Sequence, residues 1–160
     1  MNGGNDMNDF IFHNPDKVYF GKNQMQHLPE ELLNFGKKVL LVYGGGSIKR
    51  NGLYEQILTL AKENGIELFE LSGVEPNPRH STVNKGAAIC RKENINVVLA
   101  AGGGSTIDCA KGIAAAALTE NGDVWPLVSG GVWVTKALPV IAVLTNAATG
   151  SEMDAWAVIS

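Results

Sequence analysis

Residues 96–112 read NVVLAAGGGSTIDCAKG, and this stretch decides the fold class of the chain. Apolar residues run directly into three glycines, and a helical pattern begins immediately after them. A strand that passes into a helix through glycines forms either a tight turn or a stretch of backbone that a large anion can approach closely. The sequence at this point leaves both interpretations open.

A second strand–glycine–serine unit lies earlier in the chain. VYGGGSI starts at Val42 and AAGGGSTI starts at Ala100. Neither matches GxGxxG, because Lys49 and Ile107 occupy the last glycine position, so the standard dinucleotide fingerprint is missing. Each unit is either a tight strand-to-helix turn or a phosphate site that uses backbone N–H groups and the helix dipole.

The serine and aspartate of the later unit suit the start of a helix. Ser105 is expected at the N-cap, and Asp108 stands three residues on in the capping-box position.

Apolar runs and helical patterns alternate along the rest of the chain. Strands are predicted at residues 17–21, 37–43, 66–71, 96–101, 138–145 and 156–160. Helices are predicted at residues 26–36, 52–65, 81–93 and 105–117. Strands that are apolar on both faces and separated by helices predict an α/β fold with a parallel sheet flanked by helices on both faces. The carboxyl ends of such strands meet at one edge, where ligands bind.

Length and composition are those of a single globular domain. We expect a disordered leader at residues 1–9 and one α/β domain over residues 10–160. A net charge of −3 gives no support to a nucleic-acid surface, and no apolar run approaches the roughly 20 residues that span a bilayer. Ser160 follows an apolar run without turn residues, which predicts that the chain is a fragment.

The two cysteines and three tryptophans are expected to be structural. Cys90 and Cys109 fall in predicted helices without CxxC spacing, which favours reduced, buried thiols in a cytoplasmic protein. Trp125, Trp133 and Trp156 are expected to pack under a long connection, and if exposed in a fragment they would favour self-association.

Residues 143–156, VLTNAATGSEMDAW, place small polar side chains directly after a buried strand. Thr145, Asn146, Thr149 and Ser151 are either ligand-binding groups at the sheet edge or parts of an ordinary polar loop, since such residues favour turns.

Four motifs in order resemble those of one known family. They are FHNPDKVYFG from Phe12, EPNP from Glu75, GGGSTIDCAK from Gly102 and TNAATGSEMDAWAVIS from Thr145. The chain is similar from Phe10 onward to the iron-dependent (group III) alcohol dehydrogenases, in the branch of NADP-linked butanol dehydrogenases and aldehyde reductases. The resemblance implies a Rossmann-like, dehydroquinate synthase-like N-terminal domain, with the family's C-terminal helical metal domain absent from this chain.

The resemblance also implies which residues contact the cofactor. Gly103, Gly104 and Ser105 would hold the pyrophosphate, and Asp108 would lie near the nicotinamide ribose or carboxamide. The rest of the groove would be lined by Asn77, Thr145, Asn146, Thr149 and Ser151.

The earlier glycine turn bears on the choice between NADP and NAD. In the family, NAD-linked members carry an aspartate where this chain has Gly45, and an acid there would repel a 2′-phosphate. Gly45 and Gly46 leave room, and Ser47 can donate a hydrogen bond, so NADP is expected and NAD is less favoured. Lys49 and Arg50 either add positive charge or form a solvated helix start.

The family binds Fe or Zn through an aspartate and three histidines in the later domain, and we expect none of those ligands here. His13, His27 and His80 lack HxxxH or HxxE spacing, and Glu152 with Asp154 makes a poor metal site. No catalytic residue is therefore assigned to this chain.

The implied function is hydride transfer between primary alcohols and aldehydes, with a small-molecule alcohol or aldehyde as substrate and no nucleic-acid or membrane partner. Two alternatives stay open: a nucleotide-binding module without turnover, and a relative with the same fold and another reaction, such as a glycerol dehydrogenase or a dehydroquinate synthase-like lyase. A homodimer is implied, formed through the predicted edge strand near Tyr19.

Overall fold

A computed structural model describes residues 14–160 and contains one parallel sheet in this part of the chain. Its strands are β1 (Lys38–Tyr43), β2 (Glu67–Leu71), β3 (Val97–Gly102) and β4 (Val140–Leu144), in the order β2-β1-β3-β4. All neighbouring strands are parallel, as the sequence predicts. The central strands β1 and β3 are buried on both faces, which explains why they read as continuous apolar runs.

Helices cover both faces of the sheet. They are α1 (Leu28–Leu33), α2 (Ser47–Arg50), α3 (Leu53–Glu63), α4 (His80–Glu93), α5 (Gly104–Ala116) and α6 (Trp125–Val128), with 3-10 turns at Gln24–His27 and Ser151–Met153. Side chains alternate between the faces along each strand. Leu41 therefore packs with α1, α2 and α3, whereas Leu40 packs with α4 and α5. The α/β prediction is confirmed.

The register brings three loops to one edge. Tyr43 pairs with Ala101, so both glycine turns begin side by side at the carboxyl ends of β1 and β3. Gly102 pairs with Leu144, so the loop after β4 starts next to them. The chain runs from β1 outward to β2 and then returns across β1 to β3. This change of direction makes the end of β1 and β3 the topological switch point, where open α/β sheets bind ligands.

Two of the predicted strands are wrong. Residues 17–20 form no strand, and Tyr19 instead stacks on His27 and donates a hydrogen bond to Glu31 Oε1. Residues 156–160 pair with no strand, because side chains of α5 and loop carbonyls take their backbone polar groups. Apolar composition alone does not make a strand, because a strand must also pair with a neighbouring strand.

Further expectations can be compared with the described residues. Cys90 and Cys109 are buried and free, as predicted. The tryptophan expectation is wrong, since Trp125, Trp133 and Trp156 are exposed, Trp133 at 86%. No helix within residues 14–160 has the length and apolar character needed to cross a membrane. The predicted leader at residues 1–9 lies outside the described residues.

Candidate functional site

The second glycine turn (residues 102–105) has no room for a side chain at Gly102, which faces the protein interior, but is open to solvent at Gly103. A Cβ atom on Gly102 would stand 2.5 Å from Thr106 Oγ1, which is buried beneath the turn. A Cβ atom on Gly103 would meet no atom within 4 Å. The turn therefore presents bare backbone toward solvent at the switch point.

The capping prediction for α5 is wrong. The helix begins at Gly104 with Gly103 as its N-cap, and no side chain caps it. Ser105 lies inside the first turn, and its hydroxyl accepts a hydrogen bond from the Asn77 backbone N–H at 3.4 Å. The N–H groups of Thr106 and Ile107 donate to Gly103 O, so at this point α5 presents the N–H groups of Gly104 and Ser105 and the positive end of its dipole.

The Asn77 loop (residues 72–79) approaches the same turn from β2. Asn77 adopts a left-handed conformation, with φ of +55°. Asparagine tolerates this conformation better than most residues. Backbone bonds from Gly73 N–H to Gly44 O and from Val74 N–H to Tyr43 O hold the loop against the first glycine turn.

The β4 loop (residues 145–153) closes the other side. It starts with a hydrogen bond from Thr145 N–H to Gly102 O at 3.0 Å. A Cβ atom on Gly104 would stand 2.5 Å from Thr149 Oγ1 and 3.2 Å from Ser151 Oγ, and these two hydroxyls lie 2.9 Å apart. Ser151 is buried, whereas Thr145, Asn146 and Thr149 are exposed at the edge. Thr145, Thr149 and Ser151 are thus close to the second glycine turn, whereas Asn146 makes no direct contact with it.

The first glycine turn (residues 44–47) is roomier. A Cβ atom on Gly45 would meet nothing within 4 Å, and Ser47 is exposed as the first residue of α2. Gly46 has φ of +105°, and a Cβ atom there would lie 3.7 Å from Arg50 Nη1. The Arg50 guanidinium therefore lies beside the turn.

Lys49 belongs to a cluster that the sequence did not reveal. Its Nζ lies 4.5 Å from the ring centroid of Tyr54 and 5.3 Å from that of Tyr43. Both tyrosine hydroxyls donate to the Glu70 carboxylate, at 2.7 Å from Tyr43 and 2.8 Å from Tyr54. The hydrogen bond to Glu70 raises the pKa of Tyr54 to about 12. The members come from β1, α2, α3 and β2, so no local spacing could have found them.

Asp108 and Lys111 contact the segment that follows the β4 loop. Asp108 is 8% exposed, and its Oδ2 accepts a hydrogen bond from Val158 N–H at 3.1 Å. Lys111 Nζ donates to Asp154 Oδ1 at 2.9 Å and to Trp156 O at 2.7 Å. The hydrogen bond from Lys111 lowers the pKa of Asp154. Lys111 is the last residue of the GGGSTIDCAK motif, but the sequence predicted no role for it.

Comparison with known proteins identifies the family. The family model for iron-containing alcohol dehydrogenase matches residues 15–160. The chain belongs to this family. This confirms the family resemblance predicted from the four motifs.

Relatives of this chain have names that specify either NADH or NADPH. It is 53% identical to NADH-dependent butanol dehydrogenase B of Clostridium acetobutylicum over 96% of the chain and 39% of the relative. It is 42% identical to NADPH-dependent aldehyde reductase YqhD of Escherichia coli, over 96% of the chain and 40% of the relative. The chain thus spans about two fifths of the length of these relatives.

A solved structure of the family has the same fold. NADH-dependent butanol dehydrogenase A of Thermotoga maritima superimposes with a TM-score of 0.90 at 48% identity, over 96% of this chain and 39% of that protein. The fold prediction is confirmed at the level of an iron-containing alcohol dehydrogenase domain.

The described residues do not fit the metal that the family name implies. Within residues 14–160, no three His, Cys, Asp or Glu side chains come together in a group that could hold a metal ion. His27 stacks on Tyr19, and His80 packs edge-on against Trp125. His13 lies outside the described residues. We therefore derive no step of the reaction through a metal held by these residues.

Proposed function

We propose that this chain forms the nucleotide-binding part of an alcohol dehydrogenase that interconverts primary alcohols and aldehydes, with NADP as the hydride carrier. The supporting observation is the open backbone of Gly103 at the switch point between β1 and β3, directly before the first turn of α5. The family assignment supports the same reaction class.

The pyrophosphate is assigned to Gly103, Gly104 and Ser105. A side chain at Gly102 or Gly104 would stand 2.5 Å from a neighbouring hydroxyl oxygen, whereas the space outside Gly103 is free. An anion there would accept hydrogen bonds from N–H groups of the first turn of α5, a helix of 13 residues. The nucleotide thus fits the residues present.

The adenosine end is assigned to Gly45, Gly46 and Ser47. The free space at Gly45 and the Arg50 guanidinium beside Gly46 favour a 2′-phosphate, since a cation close to that group stabilises its charge. The relatives' names include both NADH and NADPH, so the preference for NADP rests on these residues of the chain itself.

The rest of the cofactor groove is assigned to the Asn77 loop, to the β4 loop and, near the nicotinamide, to Asp108. Asn77, Thr145, Asn146, Thr149, Ser151 and Asp108 are the residues we assign there. NADP, when bound, supplies the hydride, and the chain's contribution is to bind and orient it. The exposed hydroxyl and amide groups of Thr145 and Asn146 can hydrogen-bond the cofactor without moving the buried Ser151.

Assembly and location are further parts of the proposal. The exposed side chains of Val18 and Phe20 favour a homodimer formed through the N-terminal segment. Two free, buried thiols in the described chain favour a cytoplasmic protein.

The test is isothermal titration calorimetry of the 160-residue chain with NADPH and then with NADH. Micromolar binding of NADPH, with NADH at least about tenfold weaker, is the expected result. Tighter binding of NADH would overturn the 2′-phosphate assignment, and no binding of either would overturn the nucleotide site. Mixing the chain with NADPH and butyraldehyde and following absorbance at 340 nm separates binding with turnover from binding alone.

A further inference from the structure

One face of α5 contacts the β4 loop and the chain that follows it, although Gly112 on this face also meets Val83 of α4. Gly104, Asp108, Lys111 and Gly112 are spaced so that they lie on the same side of the helix. Gly104 meets the β4 loop, and the other three residues meet the segment that follows it. We name residues 154–160 the clamped segment.

Apart from Ile159, which packs against the hydrophobic core, the clamped segment is held mainly by polar groups. Trp156 is 79% exposed and Val158 is 65% exposed, so their side chains bury little apolar surface. Asp108 accepts from Val158 N–H, and Lys111 donates to both Asp154 and Trp156 O. Without these bonds a segment of such exposure would open easily, since local stability follows buried contacts and hydrogen bonds.

The far end of the clamped segment reaches the Asn77 loop. Ile159 lies over Gly112, where a Cβ atom would stand 2.5 Å from Ile159 Cδ1. Ser160 N–H donates to Pro78 O at 2.9 Å, and His80 N–H donates to Ser160 O at 2.7 Å. The segment therefore connects the β4 loop to the Asn77 loop across α5, joining two of the loops that border the second glycine turn.

We propose that Asp108 and Lys111 are positioning residues of the nucleotide site. By fixing the clamped segment, they hold Thr149 and Ser151 against Gly104 before the nucleotide arrives. Preorganisation of a loop lowers the ordering cost that binding must otherwise meet. This assignment rests on the proposed nucleotide-binding function, and it adds an indirect, positioning role to the placement of Asp108 near the nicotinamide.

The test compares Lys111→Met with Lys111→Arg and with a matched control, Lys92→Met. Methionine keeps most of the aliphatic stem but removes the ammonium group, and arginine restores donors for Asp154 and the Trp156 carbonyl. Lys92 also forms an ion pair, with Glu93 on α4, but it is highly exposed and lies away from the β4 loop.

Two measurements on each variant of the 160-residue chain decide the matter. The first is hydrogen exchange without nucleotide, resolved for residues 145–153, for residues 154–160 and for α5. We expect Lys111→Met to speed exchange about tenfold over both loop regions while α5 keeps its protection. The second is calorimetry, in which the Kd for NADPH should rise about tenfold. Lys111→Arg should restore most of both effects, and Lys92→Met should change neither.

Faster exchange confined to residues 154–160, with residues 145–153 unaffected, would overturn the proposal. So would unchanged exchange in both regions. Faster exchange in both regions with an unchanged Kd would show that the clamp does not position the nucleotide site, and it too would overturn the proposal. If the unaltered chain binds no NADPH, the proposed function fails, and because the positioning role rests on it, that role fails as well. Exchange in residues 145–153 then shows only whether the clamp orders the loop.

Asp108→Asn, which keeps an acceptor oxygen for Val158 N–H, should loosen the segment less than Asp108→Ala.

Discussion

Gly104 lies directly against Thr149, so that a Cβ atom on the glycine would stand 2.5 Å from the threonine Oγ1. The contact joins the first turn of α5 to the loop after β4. This close packing leaves no room for a side chain at Gly104, whereas the Cβ position of Gly103 is open. The two neighbouring glycines can therefore be distinguished by experiment.

Gly104→Ala is expected to displace the β4 loop. Because the atom in the way is the end of an exposed threonine side chain, the loop can shift, and the free energy of unfolding should change by only about 1 kcal/mol. The displaced hydroxyls should weaken NADPH binding about tenfold. Urea denaturation and calorimetry measure the two effects, and an unchanged Kd would count against a role for this loop in binding.

Gly103→Ala should affect binding without affecting stability. Its φ of −93° suits alanine and its Cβ position is open, so the free energy of unfolding should stay within about 0.5 kcal/mol of the original value. A methyl group there would obstruct a pyrophosphate that approaches the backbone. We expect a loss of NADPH affinity in calorimetry, and full affinity would contradict the assignment of the pyrophosphate to this turn.

Gly45→Asp should reverse the nucleotide preference. The site is open, and a carboxylate near a 2′-phosphate should cost about 10- to 100-fold in NADPH affinity through charge repulsion. NADH, which lacks that phosphate, should bind as well as before or better. Gly45→Asn is the matched control, because asparagine has nearly the same shape without the charge. Equal losses for both variants would point to size rather than charge.

Cys90 and Cys109 should resist thiol reagents in the folded chain. Burial raises the pKa of each thiol to about 12, so little of the reactive thiolate exists at pH 8, and access is blocked as well. Labelling with a chromogenic disulfide reagent should be slow in buffer and complete in urea. Rapid labelling of the folded chain would show that α4 or α5 opens readily.

The Lys111–Asp154 contact should weaken only in strong acid. The pKa of Asp154 lies below its usual value of 3.8, so the contact contributes fully above that pH and is lost as the pH falls through the lowered pKa. The Trp156 N–H donates to the same Asp154 oxygen at 2.8 Å, so its amide NMR shift reports the titration. We expect a midpoint below 3.8 that moves upward in Lys111→Met. Identical midpoints would mean that Lys111 does not hold this carboxylate.

Much of the fold could be predicted from local sequence. Each strand of the sheet, from β1 to β4, coincides with a predicted apolar run, and α3, α4 and α5 begin and end within two residues of their predicted bounds. The two wrong strand predictions concern apolar runs that do not pair with another strand. Residues 17–21 and 156–160 look like strands but pair with no strand in the described chain. The backbone polar groups of residues 156–160 bind side chains of α5 and loop backbone groups instead.

The site was only partly predictable. The glycine turns and the polar β4 loop could be identified because glycine and small polar residues after apolar strands indicate the ligand-binding edge of an α/β sheet. The predicted capping by Ser105 and Asp108 failed because the N-cap of α5 is Gly103, two residues before Ser105. The interaction of Lys49 with two tyrosines and their bonds to Glu70 had no local signal at all.

The sequence by itself determined the order of strands and helices and the positions of the glycine turns. Both depend on hydrophobic periodicity and on glycines within a few neighbouring residues. Only the tertiary structure decided which loops meet. Asp108 accepts a hydrogen bond from Val158, which is 50 residues away along the chain. Thr149 packs against Gly104 because strand order and register bring the ends of β3 and β4 together. Contacts over such separations depend on how the whole sheet is assembled, which no local pattern records.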